Sequence, residues 1–245
     1  MTDPRAASVI VEGGPSDLIG DELQAVVPVF IDGVEVHLPK PLPGVAEYVT
    51  VAHAEEQANT WRATLLHDLD ERGPTPYQSD ATCCFEFLAS AGTAVASGAV
   101  GLESFANHHV ARFCPPQPYD ATGEPFGPPP TVVVFGEELT FRDLTNKPLH
   151  ERLGTILPEL NGTPRPTSEP WWPKLRQVQA LAALNRHGIT DPTARKGLQG
   201  VKSLTQRLCD REYAGTAAMM REAFEFLSPG WIGAQRAARL PEPPE

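Results

Sequence analysis

Cysteine is scarce in this chain. The four present, Cys83, Cys84, Cys114 and Cys209, form no CxxC pair and no finger spacing. That pattern excludes a disulfide framework and a structural zinc site and points to a reducing cytoplasm. The first ten residues lack a basic stretch followed by a long apolar run, so no secretory leader is read there. Long apolar runs are missing as well. The longest uncharged helical stretch is the sixteen residues between Glu86 and Glu103, rich in Ala, Gly and Ser. It reads as too short and too weakly apolar for a bilayer and suited to close helix packing, so no membrane association is expected. Positive charge is also short, with 20 Lys and Arg against 31 Asp and Glu and a net charge of -11, which argues against general nucleic-acid binding. No internal repeat is visible.

Proline, by contrast, is abundant at 26 residues, which implies a folded core interrupted by loops. The 245 residues suffice for a large core. Charge is unevenly spread: residues 1 to 60 hold ten acids against Arg5 and Lys40, whereas residues 151 to 211 hold ten Lys and Arg against five acids. A basic face near the C-terminal helices would suit an RNA backbone or the acidic N-terminal region of the same or a partner chain.

Four segments follow from punctuation and periodicity. Residues 1–20, with Gly13-Gly14-Pro15, read as a flexible arm. Residues 21–77 read as a small α/β region. Its hairpin turns at Asp32-Gly33, a dipeptide that tolerates positive φ at both positions and so suits a type I′ turn. A third short strand is read at Val45 to Val51, followed by a helix from His53 to Arg72 with Trp61, Leu65, Leu66 and Leu69 on its apolar side. Residues 78–230 read as a helical bundle, and residues 231–245 as a flexible tail.

Within the bundle, Phe87, Ala91, Ala94, Gly98, Leu102 and Phe105 recur at helical spacing, so the helix over 78–113 survives its glycines if another helix packs closely on the small-residue face. Seven of the sixteen residues 115–130 are proline, a loop or semi-rigid spacer. A second hairpin is read over 131–142, then a short helix to about Leu157 capped by Asp143 or Thr145. Leu175, Val178, Leu181 and Ala182 make one face of a third helix starting at Trp171, and Leu204, Leu208, Met219, Ala223 and Phe226 make a fourth.

A long helix ending in Leu102-Glu-Ser-Phe-Ala-Asn107, a strand pair, a short helix, and a tryptophan-led helix ending in Leu184-Asn-Arg-His-Gly-Ile-Thr190 before a last long helix: this order resembles HEPN-domain proteins. The resemblance covers roughly residues 78 to 228. It implies a metal-independent ribonuclease, often a dimer, in which a motif arginine steadies the phosphate and a motif histidine moves a proton. Here Asn185 falls where the arginine belongs and Thr190 where the histidine belongs, so both catalytic positions are lost.

The remaining catalytic candidates are Arg186, His187, His108 and His109. Arg186 and His187 are adjacent and diverge by about 100° on a helix, which spoils the family spacing. His108 and His109 with Arg112 and Cys114 suggest acid-base or zinc chemistry, but no third ligand stands at a ligating spacing, so neither metal nor cofactor is expected. Glu103, Asn107 and Asn185 are read as a buried polar core, with Glu103 and Asn107 one turn apart and tied to Asn185 or Arg186. Weak, salt-sensitive RNA binding would centre on Arg186, Arg195, Lys196, Lys202, Arg207 and Arg211, the last two sharing an outward face. Trp171-Trp172 reads as a seal at one end of the bundle, with base stacking as the alternative.

The expected protein is therefore α+β and mostly α: a HEPN-like four-helix bundle with an inserted β-hairpin and an N-terminal β-hairpin/helix region. The function read from it is a cytoplasmic, homodimeric binding or interaction module that has lost catalysis, a regulatory relative of RNA-cleaving proteins. The rival is a ribonuclease with a rearranged Arg/His site. A structural subunit of a larger assembly, docking through its proline-rich loop or to another protein partner, is the third reading. Dimerisation would use the small-residue face from Ala89 to Gly101 and the outer faces of the third and fourth helices.

Overall fold

A computed structural model of the chain describes residues 8–9, 22–23, 26–39, 42–72, 81–186, 203–232 and 241–244. These residues form a mostly helical α+β fold. Three antiparallel strand pairs join β1 (Ser8–Val9) to β2 (Glu22–Leu23), β3 (Val26–Ile31) to β4 (Val34–Pro39) and β5 (Thr131–Val134) to β6 (Glu137–Thr140). The helices are α1 (Val45–Arg72), α2 (Ala81–Phe113), α3 (Phe141–Asn146), α4 (Leu149–Glu151), α5 (Leu157–Asn161), α6 (Trp171–Arg186), α7 (Leu204–Cys209) and α8 (Thr216–Leu227). A π-helical turn, Arg152–Ile156, joins α4 to α5.

Both longer hairpins turn through two residues of positive φ, Asp32 at 50° with Gly33 at 82°, and Phe135 at 53° with Gly136 at 82°. This backbone twist matches that of the flanking strands. Phe30, Ile31 and Val34 at the tip of the first hairpin are exposed.

The stretch Val45 to Val51 is the start of α1 and not a third strand. Its β-branched composition suggests extension, but Val45, Tyr48, Val51, Ala52 and Glu55 recur at helical spacing and all are buried. Gly44, at φ 85°, lets the chain enter α1 against the backbone of α2: a Cβ there would stand 2.7 Å from the Gly101 carbonyl oxygen. The boundary expected at residue 77 thus falls between α1 and α2, which make the most extensive contact among the described elements. One core contains Leu42, Tyr48 and Ala58 together with Phe105, Leu153, Val178, Tyr213, Phe224 and Trp231.

α2 is the central helix, packed by α1, α6 and α8. By length and composition alone it is long and apolar enough to cross a membrane, longer than the apolar run read from the sequence. Its small-residue face is occupied within the chain. A Cβ on Gly98 would stand 2.5 Å from Thr216 Cγ2, and one on Gly101 would stand 2.6 Å from Met220 Cε. Around Gly98 and Gly101 this small-residue face is therefore covered by α8. Gly98→Ala is expected to destabilise the fold by about 1–3 kcal/mol through overpacking, which urea unfolding measures; an unchanged midpoint would show that α8 is not held against this face.

The fourth helix of the sequence reading is two helices, α7 and α8, separated by a turn through Arg211 (φ 62°) and Gly215 (φ 78°). Gly215, at the N-cap of α8, has no side chain to cap it, and Glu55 of α1 does so instead: its carboxylate accepts from Thr216 N at 2.6 Å and Ala217 N at 3.2 Å. Burial pushes the Glu55 carboxyl up, against the backbone N–H groups and the nearby Lys174 ammonium that lower it.

The cap of α3 is Thr140, in a reciprocal capping box with Asp143, and neither Asp143 nor Thr145 alone. The proline-rich loop carries its own bonds: Gln117 donates to the Gly127 carbonyl at 2.7 Å, and Asp120 accepts from Thr122 and Glu124. In the tail, read as flexible, residues 241–244 have a place: Tyr48 donates to the Pro241 carbonyl at 2.7 Å and Arg221 pairs with Glu242. Trp171 is buried against Phe226, ring centroids 5.9 Å apart, and the Trp172 ring lies where a Cβ on Gly154 would stand. Both tryptophans are thus used in packing.

Candidate functional site

Glu103 and Asn107 occupy successive turns of α2 and meet an unexpected partner. Arg152, the first residue of the π-helical turn, donates from Nη2 to Glu103 Oε1 at 3.1 Å, from Nη1 to Asn107 Oδ1, and from Nε to the Lys147 carbonyl at 3.0 Å. All three guanidinium nitrogens are engaged. The Arg152 side chain is 3% exposed and that of Glu103 46%, so a buried cation is neutralised by a carboxylate that still reaches solvent. Burial pushes the Arg152 guanidinium below its usual value, and Glu103 opposes that shift. The wide turn is compatible with Gly154, whose missing side chain admits Trp172; π turns of this kind recur at functional sites.

Asn185 does not join this cluster. It is exposed near the end of α6, beyond the last buried residue Ala182, with its amide 3.8 Å from where a Cβ on Gly92 would stand. The expectation of a buried Asn185 amide is therefore corrected: the helical face it shares with Leu175 and Val178 runs past the edge of the core.

Arg186, also exposed, lines a cleft of about 150 Å³ between α2, α4 and α6. Ala99 and Glu103 contribute from α2, Leu149 from α4, and Gln179, Ala182, Ala183 and Arg186 from α6. The α6 residues recur over two turns of one face, and Ala99 and Glu103 are one turn apart. Glu103 thus links the cleft to the buried Arg152 behind it. Gln179 and Arg152 are additions to the site that sequence spacing did not single out.

The histidines of α2 lie elsewhere. His109 is 1% exposed, its ring 4.3 Å from that of Phe105 and 4.8 Å from that of Trp231, and His108 is 5.5 Å from Trp231. Cys114 donates its thiol to the carbonyls of Pro130 at 3.3 Å and Leu139 at 3.7 Å, and burial pushes that thiol up. The His/Cys run is therefore part of the packing, and among the described residues no group of three His, Cys, Asp or Glu is placed to hold a metal ion.

Of the basic candidates, Arg207 is paired with Glu212, Nη2 to Oε2 at 2.6 Å. Arg211 lies beyond the end of α7, so the two do not share one helix face as expected. His187, Arg195, Lys196 and Lys202 lie outside the described residues.

No family model, curated protein or solved structure matches the chain.

Proposed function

We propose that this chain is a HEPN-like helical bundle that binds rather than cleaves, with the cleft between α2, α4 and α6 as its binding site. The observation that carries this reading is the cluster of Glu103, Asn107 and Arg152 behind the cleft, with Arg186 on its wall. It supplies fixed charge and hydrogen-bonding groups, but no described histidine lines it. Cleavage through a ribose 2′-hydroxyl needs a group that moves a proton within hydrogen-bond reach of the phosphate. His108 and His109 are committed to the Trp231 end of the bundle. The order of helices and hairpin supports the family part of the proposal, and the replacement of both motif positions by Asn185 and Thr190 supports the loss of catalysis.

A metal-free assay on fluorescent single-stranded RNA tests it. Purified protein is expected to cleave no faster than an Arg186→Ala, His187→Ala double variant. Robust cleavage by the wild type that the double variant loses would restore the ribonuclease reading.

A further inference from the structure

The cleft is small and carries both signs of charge. Its volume of about 150 Å³ lies below the roughly 300–1,000 Å³ of pockets that enclose whole drug-sized ligands. At interior packing density it has room for roughly six to eight organic heavy atoms. Ala99, Leu149, Ala182 and Ala183 give it apolar surface; Glu103 on α2 and Arg186 on α6 give it opposite charges, and Gln179 an amide. The described ion pairs join Glu103 to Arg152 through Oε1, and none of them joins it to Arg186. A carboxylate and a guanidinium on different walls, not paired with each other, are complementary to a molecule carrying an ammonium and an anion. Arg152 holds Oε1 of Glu103 from behind while the carboxylate still reaches solvent, so its open side can accept from an ammonium; a singly charged ligand would gain only one of the two contacts. A nucleobase is a poorer fit because none of the described residues lining the cleft is aromatic, so it has no ring to stack on there.

We propose that this cleft binds a free α-amino acid with a short aliphatic side chain. Glu103 takes the ammonium, Arg186 the carboxylate, and Gln179 hydrogen-bonds beside them. The side chain lies on Leu149 and the alanines. Arg152 acts as a positioning residue, holding the Glu103 carboxylate in place from behind. This rests on the reading above that the cleft is the binding site.

Isothermal titration of the full chain with L-alanine and L-valine tests it. Isobutylamine and 3-methylbutyrate serve as valine analogues lacking one charge each. At least one amino acid is expected to bind saturably and about tenfold or more tighter than either analogue, a gap of ~1.4 kcal/mol. Arg186→Ala, at an exposed helix end, is expected to keep the fold and lose that binding. No saturable binding of either amino acid overturns the proposal, as does equal binding of a singly charged analogue or unchanged affinity in Arg186→Ala. Guanosine monophosphate is the fifth probe. Its binding with both amino acids silent would overturn the ligand class while leaving the non-catalytic reading intact, and the RNA cleavage assay tests that reading separately.

Discussion

Replacing Glu55 by alanine will cost the fold about 3–5 kcal/mol, read as a fall in the urea midpoint. The α8 N-cap is a glycine, so the first N–H groups of that helix depend on a carboxylate brought by α1 from 161 residues away. Without it, the Thr216 and Ala217 N–H groups stay buried with no acceptor, at ~1–3 kcal/mol each. Glu55→Gln keeps the shape and one acceptor oxygen and will cost less. The pH dependence separates the two variants further. Because burial raises the Glu55 pKa in the folded state, the native chain holds this proton more tightly than the unfolded one. The stability it contributes is then fully present below the ordinary carboxylate pKa and is lost as pH rises through the raised value. The stability gap between wild type and Glu55→Gln will therefore narrow as pH rises across that window. A gap that widens instead would mean that the N–H bonds and Lys174 outweigh burial.

Lys174 belongs to the same interior region. Its ammonium donates to the Glu212 carbonyl at 2.6 Å and to Gln177 at 2.9 Å, and burial pushes its pKa down while Glu55 and Glu212 oppose that shift. The middle of α1, the turn before α8 and the first turn of α6 are thus joined by polar contacts as well as by the core. Tyr213 extends this junction, donating to Asn59 at 2.9 Å and packing edge-on against Phe87 with ring centroids 5.9 Å apart.

What the sequence disclosed was local. The turns at Asp32-Gly33 and around Gly136 carry their own φ requirement, and the α6 face of Leu175, Val178, Leu181 and Ala182 is a period visible within eight residues. Val45 to Val51 was harder to read, because β-branched residues suggest a strand while only the continuation to Glu55 and Ala58 reveals the helical period. How closely α1 packs on α2 was not legible for a related reason: contact between the two helices is a tertiary fact with no signal in either segment. The site was half legible. Glu103 and Asn107 are one turn apart on an obvious helix, so a shared polar face could be anticipated. Their partner could not. Arg152 lies 49 and 45 residues further on, in a short helix broken by a π turn, and nothing in its neighbourhood marks it out.

Arg152→Met will destabilise the chain by about 3 kcal/mol and also weaken amino-acid binding in the cleft. The methionine fills much of the same space, so the loss comes mainly from three broken hydrogen bonds and not from a cavity. Asn107 Oδ1 and the Lys147 carbonyl lose their donor, whereas Glu103, nearly half exposed, recovers part of its solvation from water; this keeps the cost toward the lower end of the range for a broken buried pair. Arg152→Lys will recover little, because one ammonium cannot reproduce the planar fork that reaches three acceptors at once. Arg186→Ala should behave in the opposite way, leaving the urea midpoint within ~0.5 kcal/mol of wild type while losing binding, since its side chain is exposed. The contrast separates a residue that positions Glu103 from one that touches the ligand. If Arg152→Met kept both stability and binding, the guanidinium cluster would not be what orders the cleft. Wild-type affinity in a destabilised Arg152→Met would confine its role to holding α2 against the π turn.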